Sequence, residues 1–376
     1  MSGKYVNDYR QDLRLFRTTP KKVLLVVGLL AAIALPYLIQ IQWTPPFGFP
    51  WKAWAKAINL ALIWSIGAAA FNLLLGYTGQ ISTAHAAFLI LGALTGAVLG
   101  EASAGLGWSF WLVLPLGGVV GAVIGALVGL PALRVRGLYL FMATLAVHFA
   151  AILGFKMYQV AQVGFTGVRY FPPEVPSFLH WLPFVTPDAN GQFLIQGDFR
   201  WYFVLVPITL GCLLFMVNVL RSAEGRAFVA IRDNDVAASL LGINVARTKL
   251  LAFAVSSAMV TISGVLLSFF VTARSDESWS IEIILDVAIM TVVGGFSTIV
   301  GGVFGAFFFF MTPVLFNWIR DLPLFDRFTF IDTYGSQIDL AIFGVAIVLV
   351  LVFKPEGLAG VWEDTKRYFR TWPFRY

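Results

Sequence analysis

Long apolar runs constrain this chain more than any other feature of its sequence. Ten runs are long enough to cross a bilayer as α-helices, because about 20 apolar residues span its hydrocarbon core. They cover residues 23–41, 57–75, 81–100, 108–130, 138–158, 201–220, 249–271, 281–297, 299–319 and 335–353. Charged residues make up only 12% of the chain, against about 25% in soluble domains. The pattern predicts an all-α polytopic membrane protein with about 8 to 10 transmembrane helices, and it excludes a water-soluble enzyme, a disordered regulator and a disulfide scaffold.

The Lys and Arg residues fall mainly on one side of the predicted membrane. With the N-terminus inside, 18 of the 26 lie in inner segments and the other eight in outer ones. Cytoplasmic loops carry such an excess of positive charge, so both termini are predicted to be cytoplasmic. The predicted organisation is an amphipathic N-terminal segment (1–22), a transmembrane domain (23–353) and a cytoplasmic tail (354–376). The domain includes an outer loop at 159–200 and an inner loop at 221–248.

Glycines recur every four residues in three of the runs. Because small residues allow close approach of helices in lipid, these glycines are predicted to form packing faces: Gly92, Gly96, Gly100, Gly117, Gly121, Gly125, Gly129, Gly301 and Gly305. No glycine cluster is followed by the Lys of a phosphate-binding loop. The chain is therefore expected to hold no cofactor, and any energy from ATP is expected to come through partner subunits.

A glycine-rich stretch at 76–80 separates two runs and is predicted to be a broken or re-entrant helix. Unwound backbone in a membrane protein commonly lines a cavity. The polar residues around this point, with one carboxylate from a later run, are the predicted translocation path: Asn72, Thr78, Gln80, Ser82, His85 and Asp286. No metal site is predicted, because His148, in mid-helix, has no second ligand three or four residues away.

The inner loop at 221–248 is predicted to form two short helices. The first covers about residues 223–231, and the second is capped by Asp233 or Asn234 and stopped by Gly242. One face of the second helix is apolar, formed by Val236, Ala237, Leu240 and Leu241. A helix this short is marginal by itself. Its apolar face is therefore expected to pack on the protein's own helix ends or to dock into another protein.

Six stretches carry recognisable motifs in a fixed order. They read Gly-Tyr-Thr-Gly-Gln-Ile-Ser at 76–82, Ala-His-Ala-Ala-Phe at 84–88, Leu-Pro-Ala-Leu-Arg-Val-Arg-Gly-Leu-Tyr-Leu at 130–140, Lys-Leu-Leu-Ala-Phe at 249–253, Val-Val-Gly-Gly-Phe-Ser-Thr-Ile-Val-Gly at 292–301 and Lys-Pro-Glu-Gly-Leu-Ala-Gly at 354–360. Together with the inner loop, they resemble the inner-membrane permeases of bacterial ABC importers, specifically the branched-chain amino acid permease family of the LivM and LivH type.

The resemblance implies an ABC importer permease fold and a subunit without catalytic residues, which moves branched-chain or related small amino acids across the bacterial inner membrane. It also implies separate cytoplasmic ATPase subunits, a second permease subunit and a periplasmic solute-binding protein, with no nucleic acid among the partners. The inner loop would then be the segment that docks on the ATPase. Its implied coupling residues are Glu224, Gly225, Arg226, Ala230, Arg232, Asp233, Asn234, Ala237, Leu241 and Gly242.

Two departures from the family pattern leave the cargo open. Residues 163–168 read Val-Gly-Phe-Thr-Gly-Val instead of a Thr-Gly-Gly-rich segment. The acidic residue that the family often has after the Thr-Leu-Ala of the preceding helix is replaced, since residues 144–149 read Thr-Leu-Ala-Val-His-Phe. A permease for urea or short-chain amides is therefore an alternative. A stand-alone ion-coupled transporter is a weaker one, because it would need carboxylates deep in several helices, whereas the acidic residues lie mostly in loops or at helix ends. A membrane enzyme ranks last, since no paired His and carboxylate residues occur in the runs.

Overall fold

The structure is a computed structural model, and it describes residues 51–100, 102–103, 105–134, 137–164, 167–177, 180, 187, 193–320 and 329–371. The predicted N-terminal segment 1–22 and the first apolar run, 23–41, lie outside the described residues.

Twelve α-helices occur in the described part of the chain, which confirms the all-α architecture. They are α1 (Trp51–Asn72), α2 (Ala84–Leu99), α3 (Phe110–Gly129), α4 (Leu138–Gln162), α5 (Gly197–Arg221), α6 (Ala223–Asp233), α7 (Asp235–Leu240), α8 (Val245–Val271), α9 (Glu282–Gly294), α10 (Ile299–Arg320), α11 (Thr329–Phe353) and α12 (Gly357–Thr371). Two short strands, β1 (Val168–Arg169) and β2 (Ala273–Arg274), pair in antiparallel. Nine of the helices coincide with predicted apolar runs, while α6 and α7 form the inner loop.

Six of the described helices are long and apolar enough to cross a membrane, and α11 with α12 makes a seventh if this pair, bent by 49°, counts as one span. The apolar helices α2 and α9 have only 16 and 13 residues. At 1.5 Å per residue they reach about 24 and 20 Å, less than the hydrocarbon core of about 30 Å. They are shorter than the predicted runs because the chain leaves the helix at residues 79–83 and 295–298. The protein is a multi-pass membrane protein.

Helix α8 lies at the centre of the bundle and packs on α1, α2 and α3. The glycine stripe of α3 allows this close approach, because a Cβ at any of its positions would press on α8. Gly117, Gly121, Gly125 and Gly129 face Val265, Thr261, Ser257 and Phe253 in that order. The Ser257 hydroxyl also donates to the Gly121 carbonyl at 2.9 Å. Gly92 of α2 and Gly264 of α8 make a similar backbone contact between those two helices, and Gly96 lies against the ring of Phe269.

Helix α10 packs on α1 and α9. Gly301 and Gly305 lie against the backbone of α9, and Gly302 lies against Ala69 of α1. The four-residue spacing did not single out Gly302, because its partner helix is on the other side of α10. Glycine at all three positions lets α10 sit between two helices at once.

Segments that the charge pattern assigns to the same side of the membrane lie close together in the structure. At one end of the bundle β1 pairs with β2, and the Trp111 indole donates to the Glu174 carbonyl at 2.9 Å. At the other end the break after α1, the inner-loop helices and the turn between α9 and α10 converge. Most of the candidate functional residues lie at this second end.

Candidate functional site

The chain leaves α1 through a break at residues 73–83. A π-helical turn, Leu73–Tyr77, follows Asn72, and the backbone is then non-helical until α2 begins at Ala84. Gly79 adopts a φ of +68°, a conformation that glycine takes at no steric cost. Its N–H donates to the Leu75 carbonyl at 3.1 Å. This geometry exposes backbone carbonyls of the turn to side chains from elsewhere in the chain.

Asn72 fastens this break to the turn between α9 and α10. Its side-chain amide donates to the carbonyls of Gly295 at 2.9 Å and Thr298 at 2.7 Å. Its side-chain oxygen accepts from the Ser297 N–H at 2.8 Å. Ser297 holds a left-handed φ of +60°, and its hydroxyl donates to the Gly76 carbonyl at 2.8 Å. Asn72 itself is fully buried, so its side-chain amide is shielded from water, which strengthens its hydrogen bonds.

Arg232, at the end of α6, joins the same network. Its Nη1 donates to the Gly76 carbonyl at 2.6 Å and to the Ser297 hydroxyl at 2.5 Å. Hydrogen bonds from a charged donor are stronger than neutral ones. We call the set Asn72, Gly76, Arg232 and Ser297 the junction. It connects the inner loop, the break after α1 and the α9–α10 turn through one guanidinium group.

The start of α12 packs against the junction. Gly295 and Gly357 have φ values of +118° and +73°, and their backbones are so close that a Cβ on Gly357 would collide with Gly295. The segment after α11 is therefore held on the α9–α10 turn by direct backbone contact.

Other polar side chains near the break tie α1 to α2 and α8. The Thr78 hydroxyl donates to the Leu74 carbonyl at 2.5 Å, and Nε2 of Gln80 donates to Thr78 Oγ1 at 3.0 Å. Nε2 of His85 lies 2.7 Å from Oγ of Ser256, which donates to a carbonyl of α1 at 2.8 Å. The first two contacts lie within the break, and the His85–Ser256 contact ties α2 and α8 to α1.

The predicted path residues therefore do not all lie together. Ser82 Oγ accepts from the N–H of Ala84 at 3.2 Å and belongs to the break. Asp286 is half-buried on α9, about 12 Å along the helix from its end at Gly294. His148 is fully buried on α4, and neither of its ring nitrogens has a hydrogen-bond partner in the described structure.

The two helices of the inner loop differ in how they are held. Helix α6 is anchored by Phe228 and Ile231, both buried, and Gly225 lies against the backbone of Leu220. The exposed Arg226 donates to the Arg221 carbonyl at 3.4 Å. Glu224 forms an ion pair with Arg247 at 3.9 Å.

Helix α7 presents its apolar side chains to the outside. The side chain of Asn234 caps it by accepting from two backbone N–H groups at 3.0 Å, and Gly242 follows it with a φ of +84°. Val236, Leu240 and Leu241 are 63, 84 and 80% exposed, and Ala237 is exposed as well. This apolar face does not pack on the protein's own described helix ends.

The sequence placed Arg232 in a charged segment of the inner loop, outside the bilayer, and it did not single out Ser297 or Gly295. Arg232 is exposed there, as expected, but its guanidinium also bonds to the break after α1 and to the α9–α10 turn. The motif at 292–301 could have indicated Ser297 and Gly295, because its Gly-Gly-Phe-Ser-Thr segment lies between two apolar runs and places polar groups where helices end. Its partner Asn72 is more than 220 residues away in the chain, so their pairing is not visible locally.

Comparisons with known proteins identify one family over most of the chain. Residues 54–351 match the family described as the permease component of the branched-chain amino acid transport system. The high-affinity branched-chain amino acid permease LivM of Escherichia coli is 27% identical over 355 residues, which cover 91% of this chain and 75% of LivM. A probable LivM of Methanocaldococcus jannaschii is 24% identical over 66% of this chain and 67% of that protein. The xylose permease XylH of Escherichia coli is 39% identical, but over only 31% of each chain. No solved structure matches the chain.

Proposed function

The chain belongs to the branched-chain amino acid permease family of ABC transport systems, and from this premise we propose that it is the permease subunit of an importer for aliphatic amino acids. In this proposal separate ATPase subunits supply the energy, a second permease subunit completes the pathway and an external binding protein delivers the solute. The membrane is the bacterial inner membrane, with α6 and α7 on its cytoplasmic side. The family is one of transport permeases and not a class of enzymes.

The junction is the observation that supports this proposal. An ATPase that moves α6 and α7 needs a stiff connection to the helices around the solute path. Arg232 makes that connection, because a single nitrogen atom binds both the carbonyl of Gly76 and the hydroxyl of Ser297. A displacement of α6 would therefore act on the break after α1 and on the α9–α10 turn together.

The exposed face of α7 supports a protein partner at the same end of the bundle. A six-residue helix gains little stability from its own backbone hydrogen bonds. Exposing apolar side chains such as Leu240 and Leu241 to water is unfavourable, and burying them in a cleft of a partner protein would lower the free energy. We therefore propose that α7 inserts into the ATPase subunit and that Arg232 relays its movement.

The relatives support an amino acid as the proposed cargo. LivM proteins match most of the chain, whereas the xylose permease matches less than a third of it. An aliphatic amino acid is therefore the proposed substrate.

Reconstitution tests the proposal directly. The full chain is placed in proteoliposomes with its second permease, its ATPase subunits and its binding protein, and uptake of labelled L-leucine is measured with and without ATP. We expect uptake only when ATP and the ATPase are both present. Uptake by the permease alone, independent of ATP, would exclude the importer and favour an ion-coupled carrier.

The role of Arg232 is tested by R232Q and R232K. The terminal nitrogen of Lys is one bond closer to the backbone than Nη1 of Arg232, and that of Gln is two bonds closer, so we expect neither to reach both acceptors. Solute-stimulated ATP hydrolysis is then expected to fall about tenfold or more, as after the loss of a charged hydrogen bond. Membrane insertion is expected to be retained. K52Q, at the far end of α1, removes an exposed charge and serves as the control. Normal coupling in both Arg232 variants would contradict the relay.

A further inference from the structure

A polar cavity of about 380 Å³ lies beside the junction. Its walls are the break after α1, the start of α4 and the turn between α6 and α7, with Lys249 of α8 at one side. Sites for small molecules commonly have volumes of about 300–1,000 Å³. The cavity is therefore large enough for one small solute, and it is separate from the exposed apolar face of α7.

Charges of both signs line this small space. Arg232 and Lys249 provide cations, while Asp233 and Asp235 provide carboxylates. Lys249 Nζ and Asp235 Oδ2 form an ion pair at 3.3 Å, with side chains only 10 and 17% exposed. The Arg232 side chain uses only its Nη1 in the junction, so its other N–H groups can donate to a ligand. A ligand with both an anionic and a cationic group would complement this wall.

The remaining wall is aliphatic. Ile81, Leu140 and Ile231 line the cavity next to the charged groups. Gln80 also lines it, and this side chain is 6% exposed with an Oε1 that has no hydrogen-bond partner among the described residues. A buried carbonyl oxygen without a hydrogen-bond donor is unfavourable, and a ligand N–H would supply the missing donor. The lining therefore favours a molecule that joins a zwitterionic head to a short aliphatic chain.

We infer that this cavity binds an aliphatic α-amino acid, which enters from the side of the inner loop. The ligand's carboxylate faces Arg232, its ammonium group faces Asp233 and the amide oxygen of Gln80, and its side chain rests on Ile81 and Leu140. A bound amino acid holds the α6–α7 turn against the break and so opposes the movement that drives transport. This regulation rests on the proposed function, whereas the binding itself does not.

Equilibrium binding to the permease alone is the first test. The full chain is placed in lipid nanodiscs without ATPase or binding protein, and it is titrated with L-leucine, 4-methylpentanoate and 3-methylbutylamine. The second compound lacks the ammonium group and the third lacks the carboxylate. We expect saturable binding of leucine and affinities at least about tenfold lower for both analogues, because each leaves one charged wall unpaired.

Two variants locate the site. D233N removes a carboxylate on an exposed side chain, and I81S removes part of the aliphatic wall at a residue that is 48% exposed. Neither change affects the buried core, and each is expected to weaken leucine binding about tenfold. E363Q, an exposed carboxylate on α12 outside the cavity, is the matched control and is expected to bind like the unmodified chain. Equal leucine affinity in D233N, I81S and the unmodified chain would place the site elsewhere and overturn the inference, as would the absence of saturable binding.

The regulatory consequence is tested on the assembled transporter in nanodiscs without binding protein. Added L-leucine is expected to lower ATP hydrolysis at least about threefold, and I81S is expected to need about tenfold more leucine for the same fractional inhibition of its own uninhibited rate. Leucine that binds the cavity without changing hydrolysis would contradict the regulation. Failure of ATP-driven uptake would contradict the proposed function and leave the binding result intact.

Discussion

A single asparagine holds the break after α1 in position. Asn72 contributes two hydrogen bonds to the α9–α10 turn and accepts one from it. It satisfies backbone groups of the α9–α10 turn that have no partner within a regular helix, because residues 295–298 are non-helical. Its burial raises the importance of each bond, since an unpaired polar group inside the bundle finds no water.

The substitution N72L is expected to destabilise the protein. Leucine cannot hydrogen-bond to the N–H of Ser297 or to the carbonyl of Thr298. We expect the loss of these bonds to lower the free energy of unfolding by about 2 kcal/mol or more. Unfolding of the purified permease in detergent measures the change. N317L is the matched control, because among the described residues Asn317 bonds only within its own helix, to Pro313 and Arg320, and its loss is expected to cost less than about 1 kcal/mol. Similar losses in both variants would show that Asn72 has no special role.

At the scale of the helices, close packing of α3 on α8 depends on the absence of side chains. The four glycines of α3 form one stripe, and each faces an α8 residue that approaches too closely for a Cβ to fit without adjustment. In lipid no hydrophobic effect draws helices together, so this contact is stabilised by dispersion and short interhelical hydrogen bonds. Gly154 of α4 differs, since a Cβ there would have no atom within 4 Å.

The pair G125L and G154L tests this difference. Leucine at 125 would collide with Ser257 and Phe253, so α3 must move away from α8, at a cost of about 3 kcal/mol. Leucine at 154 enters open space and improves helix propensity, so stability is expected to change by less than about 1 kcal/mol. Thermal unfolding in the same detergent compares them. A tolerated G125L would mean that the glycine stripe does not hold α3 and α8 together.

At the scale of the whole molecule, the structure separates two ends that the charge pattern had assigned to opposite sides of the membrane. The β1–β2 ladder lies at one end and the junction with the inner loop at the other. The excess of Lys and Arg near the junction predicts that this end faces the cytoplasm.

Cysteine labelling tests this orientation. In a background with C212A, S278C after β2 and S239C on α7 each replace an exposed serine. A membrane-impermeant maleimide is expected to label S278C in intact cells and S239C only after permeabilisation. The reverse pattern would invert the assigned topology and place α7 out of reach of a cytoplasmic ATPase.

Several features followed from local sequence. Apolar runs of spanning length specify where helices form, because a backbone in lipid must satisfy its own hydrogen bonds. The four-residue glycine spacing identified the face of α3, and Asn234 and Gly242 marked the two ends of α7, since capping depends on residues within one turn. Short sequence motifs indicated the family.

The tertiary structure alone decided the partners of Arg232, Asn72 and Gly302. Arg232 lies 156 residues from Gly76, and no local propensity records which carbonyl a guanidinium reaches. That choice depends on the paths of α1, α8 and α9, which are set by side-chain packing along their whole lengths. Asp286 is polar like the residues of the break, but it lies on α9, away from the junction. The sequence shows that a residue is polar, but it does not show which residues surround it. The sequence thus determined the helices and the family, whereas long-range packing determined which of them meet at the junction.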